Sequence, residues 1–151
     1  MRKIDALMAR MKGHRVYVDA NFFIYFLNQQ PPFFDAVAPI FQACDKGVFK
    51  GVTGDAAVAE VMVQPYRLKS PAEIAKGKRL FSRENFISTV SHDAAIFDLA
   101  SQLRAHSNMR MLDALHYATA MQTGCRFLLT NDRDFKPSSM IDVVGITSLL
   151  E

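Results

Sequence analysis

Tryptophan is absent from these 151 residues, and cysteine occurs only twice. Cys44 and Cys125 stand far apart, and neither has a second Cys or a His at metal-ligand spacing. That argues against a disulfide framework and a zinc site, and for two reduced core thiols. No apolar run reaches the roughly 20 residues of a membrane-spanning helix. The opening stretch MRKIDALMARMKGHR is broken by charge every few residues and lacks the apolar centre of a secretory signal. The expectation is a soluble, cytoplasmic protein without a membrane partner. Six Pro and seven Gly, with no repeat and no Ser/Gly-rich linker, leave no low-complexity segment.

What is present suits one domain with a sizeable core: half of the residues are apolar, twelve of them Phe. The net charge is +3, a weak pointer to an anionic partner. Its distribution says more. Arg67, Lys69, Lys76, Lys78, Arg79 and Arg83 face the single acid Glu73 in that segment. The N-terminal arm carries Arg2, Lys3, Arg10, Lys12 and Arg15 against Asp5. Both stretches read equally as solvated helix faces or as surfaces for an anion.

Strand and helix patterns alternate. RVYVD is apolar on both faces, as in a buried parallel strand. ANFFIYFLNQQ is helical until Pro31 and Pro32 break it. FFDAVAPIFQACDKG predicts a second helix ending at Gly47, and VFKGVT a weak strand. GDAAVAEVMVQP follows as a helix with Asp55 as its cap and Pro65 near its end. SPAEIAKGKRLF starts a helix with Ser70 as cap and Pro71 at the first position. NFISTVS, RFLLT and IDVVGIT are strands, and HDAAIFDLASQLRAH and MRMLDALHYATAMQTG are helices. The class is α/β: three layers, α/β/α, around a central, mainly parallel sheet.

Two strands end alike: VYV runs into Asp19, and FLLT into Asn131 and Asp132. Ligands of open parallel sheets bind beyond the carboxyl ends of the strands. Glu60 and Asp113 interrupt otherwise apolar helices, AAVAEVMV and MLDALHYATA. Each alone reads as an acid on a thin exposed stripe or paired with a base, and Arg110 stands three before Asp113. If all four converge, their mutual repulsion raises carboxyl pKa values unless a dication relieves it. All-oxygen ligands favour Mg²⁺ or Mn²⁺, and a phosphodiester is the natural substrate.

The motifs VDANFFIY, VAEVMVQP, MLDALHYATA and LLTNDRDF, in this order, resemble those of PIN-domain proteins, in particular the VapC-type ribonuclease toxins. The resemblance runs from Arg15 onward, so residues 1–14 form a helical extension and 15–151 the PIN-like nuclease domain. It implies a catalytic metal site of Asp19, Glu60, Asp113 and Asp132, holding Mg²⁺ or Mn²⁺. Asn21 and Thr130 would support it, and Asp134 reads as a loop charge. It further implies an endoribonuclease acting on RNA such as tRNA or rRNA, a protein antitoxin with an Arg for the acidic groove, and a homodimer. Arg67, Lys69, Lys78, Arg79 and Arg133 are the candidate RNA contacts, with Lys136 near the site. His116, one turn after Asp113, reads as a structural histidine on a packed face.

Two departures stand out. Ala20 replaces the hydroxyl residue usual after the first Asp, and the N-terminal extension is longer than usual. Within that extension Ile4, Leu7, Met8 and Met11 share one helical face, expected to pack on the domain's own core. Other readings are a free-standing PIN RNase in RNA processing and a non-catalytic PIN-like scaffold binding RNA or protein. A phosphorelay receiver would need an adjacent acid pair after the first strand, and VDAN has none. A dinucleotide-binding domain would need a Gly-rich turn there.

Overall fold

A computed structural model of the chain describes residues 2–131 and 139–150. The buried β-formers Val16, Tyr17 and Val18 make the first strand, β1 (Arg15–Val18), after a leading helix, α1 (Lys3–Met11). Then follow α2 (Ala20–Leu27), α3 (Phe34–Asp45), β2 (Lys50–Gly54), α4 (Asp55–Arg67), α5 (Pro71–Ser82) and β3 (Ile87–Val90). The chain continues through α6 (Ala94–Ala105), α7 (Met111–Gln122), β4 (Phe127–Thr130) and β5 (Asp142–Gly145) to a 3-10 turn, Ile146–Leu149. The five strands lie in the order β3-β2-β1-β4-β5, every neighbouring pair parallel. The sheet is thus wholly parallel, and helices flank it as the sequence pattern predicts.

Alternation along the strands sorts the core into two layers. Val16, Val18, Phe127 and Leu129 face helices α1 to α5, meeting Leu7, Phe22, Phe23, Ile40 and Val61. Tyr17 and Leu128 face the other way, towards Ile96 and Ala100 of α6 and Leu115 and Ala118 of α7. The stripe on α1 joins the first layer: Ile4, Leu7 and Met11 are buried and Met8 packs against them. Arg10 fastens that helix to β5 through a 3.0 Å pair with Asp142. Both cysteines are buried and free. Burial pushes the Cys44 thiol up to about 11, and it donates to the Phe86 carbonyl at 3.2 Å. Among the described residues, no helix is long and apolar enough to cross a membrane.

Three local expectations are revised. Asp55 is not the cap of α4: Gly54 occupies that position and Asp55 is the first helical residue. The last strand stops at Gly145 because its partner β4 ends at Thr130, the two being in register. The helix read from HDAAIF starts one residue later than Asp93, which caps it by accepting the Ile96 N–H at 2.9 Å. Ser70 caps α5 as expected, accepting from Glu73 N–H at 3.2 Å with Pro71 in the first turn.

Candidate metal centre

From β1 the chain passes to β2 on one side and reaches β4 on the other. That reversal leaves a crevice at the carboxyl ends of β1 and β4, where a parallel sheet binds ligands. Asp19 sits there as the N-cap of α2. Its N–H donates to Leu129 O at 2.9 Å, continuing the ladder one step past β1. One carboxylate oxygen accepts the Ala20 N–H at 2.6 Å, and the other accepts the Thr130 hydroxyl at 2.8 Å. Both oxygens are therefore held in fixed directions, and the side chain is only 14% exposed. Ala20 supplies a backbone donor where a hydroxyl was expected, and Thr130, the predicted supporting residue, supplies the hydroxyl.

Glu60 reaches the same crevice from α4, its side chain 42% exposed. The other turns of that helix bury Ala57, Val61 and Met62, so Glu60 marks the edge between core and opening. Beside it a groove of about 70 Å³ runs between α2, α4 and α5, lined by Ile24, Val61, Leu68 and Lys76.

The third side chain in the crevice is His116, from α7. Its Nε2 lies 3.8 Å from Asp19 Oδ1 and 3.7 Å from Glu60 Oε1. Asp19, Glu60 and His116 each offer one ligand atom, all within 4.8 Å of one another. His116 is 4% exposed, and its Nδ1 meets the Tyr17 hydroxyl at 2.6 Å. Burial, then the Asp19 charge, raises the Tyr17 pKa, so this phenol stays protonated. Nε2 has no hydrogen-bond partner, alone in this respect among the buried side-chain nitrogens and oxygens of the described residues. A buried polar atom left so costs about 1–3 kcal/mol unless something fills its site. The arrangement, two oxygens and one nitrogen around a common point, suits a dication.

A second histidine sets where α4 begins. His92 Nδ1 meets Thr119 Oγ1 at 2.7 Å, and Thr119 gives its own proton to Leu115 O at 2.7 Å. Nδ1 therefore carries the proton, and Nε2 accepts the Ala56 N–H at 3.2 Å. The imidazole does the capping expected of Asp55. Burial, then His116, lowers its pKa, while Asp55 opposes the shift. Gly54 permits this: a Cβ there would collide with the His92 ring and stand 2.8 Å from the Tyr17 hydroxyl.

The other predicted residues are spread more widely. Asp113 is on α7, one turn before His116, and pairs with Arg110 at 3.1 Å, so the base three residues before it is its partner. It is not among the three side chains gathered within 4.8 Å. Asn21 is half-buried in the first turn of α2. Arg67, Lys69, Lys78 and Arg79 are exposed at the end of α4 and along α5, while Lys76 pairs with Glu73 and Arg83 with Asp45. Asp132, Arg133, Asp134 and Lys136 lie outside the described residues. His116, read from sequence as packing, faces the carboxylates. Its position on the Asp113 side of α7 was the available signal.

A PIN-domain family model matches residues 16–137. No curated protein matches the chain in sequence. Among solved structures, VapC20 of Mycobacterium tuberculosis, a sarcin–ricin-loop-cleaving toxin, superposes with a TM-score of 0.65 at 12% identity, over 79% of this chain and 91% of its own. VapBC2 of Rickettsia felis, bound to a DNA fragment from its promoter, gives 0.70 at 17% identity over 87% and 98%. DNA-bound VapBC of Salmonella typhimurium gives 0.62 at 13% over 88% and 98%. At such identities the likeness is one of fold. With the family model spanning most of the sequence, the chain belongs to the PIN-domain family.

Proposed function

We propose that this protein is a metal-dependent endoribonuclease, the toxin of a type II toxin–antitoxin pair. The observation that carries the reading is the meeting of Asp19, Glu60 and the unpartnered His116 Nε2 at the switch point of a PIN fold. The structural likeness to VapC20 and to VapBC complexes supports the toxin role. Asp19 and Glu60 would hold Mg²⁺ or Mn²⁺, with Asp113 and Asp132 completing the acidic set. A bound dication supplies Lewis-acid stabilisation of phosphoryl charge and lowers the pKa of a coordinated water.

The chain's own residues do the rest. Thr130 and the Ala20 N–H fix the Asp19 carboxylate, so it needs no reorganisation as charge develops. Glu60, at the mouth, is placed to orient water or substrate. Arg67, Lys69, Lys78 and Arg79 would grip backbone phosphates of single-stranded or looped RNA, tRNA or rRNA. The groove beside Glu60 suits an antitoxin segment carrying an Arg to the carboxylates. The protein would work in the cytoplasm as a homodimer.

The test uses purified protein and structured RNA with Mn²⁺, with and without EDTA, beside Asp19→Asn. Expected is cleavage that EDTA stops, that added Mn²⁺ restores, and that the variant loses by a hundredfold or more, on the order of an essential electrostatic group. Metal binding without any cleavage would support the scaffold reading instead. A short neighbouring reading frame whose product binds and silences the protein would establish the toxin role, and activity insensitive to any such product would favour a free-standing RNase.

A further inference from the structure

We propose that His116 Nε2 is a direct metal ligand beside Asp19 and Glu60, and that this nitrogen makes the site prefer first-row transition dications to Mg²⁺. The inference rests on the metal-site reading above and deepens it, by adding a donor of a different class to the acidic set. Three observations meet. Nε2 is buried, yet hydrogen-bonds nothing. Its separations from Asp19 and Glu60, 3.8 and 3.7 Å, are too long for hydrogen bonds. Ligand atoms each about 2.1 Å from one ion stand about 3.0–3.6 Å apart at angles of 90–120°, so a small closure of the crevice suffices to share a cation.

The remaining ring nitrogen is prepared for that role. Ligating histidines donate their other N–H to an oxygen, which fixes the ring and the tautomer. Here the oxygen is the Tyr17 hydroxyl, 2.6 Å from Nδ1. Tyr17 in turn has the Thr53 hydroxyl as a neighbour. Thr53 gives its proton to Val18 O at 2.7 Å. With a metal on Nε2 the ring proton sits on Nδ1 and goes to the Tyr17 hydroxyl, leaving the Nε2 lone pair aimed at the carboxylates. Imidazole suits borderline transition metals, while Mg²⁺ holds to oxygen ligands and water.

The experiment is pulsed electron paramagnetic resonance on the full chain loaded with Mn²⁺ alone, with Mn²⁺ and Mg²⁺ affinities measured by titration. Wild type should show echo modulation from a directly bonded nitrogen. His116→Asn keeps an amide able to bond Tyr17 and places no atom at the Nε2 position. It should lose the modulation and weaken Mn²⁺ about tenfold or more, with Mg²⁺ changed less than about threefold. Tyr17→Phe should keep the modulation and weaken Mn²⁺. Bound Mn²⁺ without nitrogen modulation in wild type, equal losses for both ions in His116→Asn, or no Mn²⁺ binding at all would each overturn the proposal. Failure of the nuclease reading is distinct: nitrogen-coupled Mn²⁺ in a protein that cuts no RNA leaves this ligand assignment standing. RNA cleavage with nitrogen-free Mn²⁺ sinks it and spares the nuclease.

Discussion

Gly54 shows how one missing Cβ shapes the site. It lets the His92 ring and the Tyr17 hydroxyl close over the start of α4. Gly54→Ala should displace His92, uncap α4 and cost about 1–3 kcal/mol, as overpacking does. Urea denaturation would read that loss, and RNA cleavage should fall with it because α4 carries Glu60. His92 also gives a pH signature. Its pKa is lowered in the folded chain from the ordinary 6.5, so the unfolded chain binds the extra proton more readily. The stability it lends is full above that ordinary value and is lost as pH falls through it towards the lowered one. Comparing denaturation midpoints at about pH 7.5 and about pH 5 should show a smaller drop in His92→Gln than in wild type.

Among the elements, α1 and the α4–α5 pair make the sharpest predictions. Met11, Leu7 and Ile4 of α1 belong to the same buried layer as β1 and α3. Met11 is fully buried, so Met11→Ala should destabilise by about 2–5 kcal/mol, read by thermal or urea unfolding. A peripheral arm would show almost no change. Along α5, Lys78 and Arg79 are exposed and bind no acid in the ion pairs among the described residues, unlike Lys76 and Arg83. Lys78→Ala with Arg79→Ala should weaken RNA binding and flatten its salt dependence by about 0.7 for each phosphate no longer neutralised. An unchanged slope would move the RNA to another face.

At the scale of the molecule, local pattern carried the architecture and part of the site. Doubly apolar strands gave a parallel sheet, and strand endings alone pointed Asp19 and Asp132 to its carboxyl edge; Asp19 is found there, and Asp132 lies outside the described residues. Ser70 with Pro71 announced α5. Residues whose roles depend on contacts across the chain stayed hidden. His92 caps α4 through the Ala56 N–H, 36 residues away in sequence, and nothing in periodicity records such a contact. His116 lies on a helix face so apolar that packing was the simpler reading, and only the approach of α4 and β1 turns its Nε2 towards two carboxylates. Asp113 was legible as an acid in an apolar helix, and its pairing with Arg110 was the alternative that spacing left open.

The most direct measurement is anomalous diffraction at the manganese edge from crystals grown with Mn²⁺. The expected result is a single strong peak within about 2.3 Å of an Asp19 oxygen, a Glu60 oxygen and His116 Nε2. An empty crevice with saturating Mn²⁺ in the crystal, or His116 Nε2 hydrogen-bonded to Glu60 in place of a metal, would contradict it.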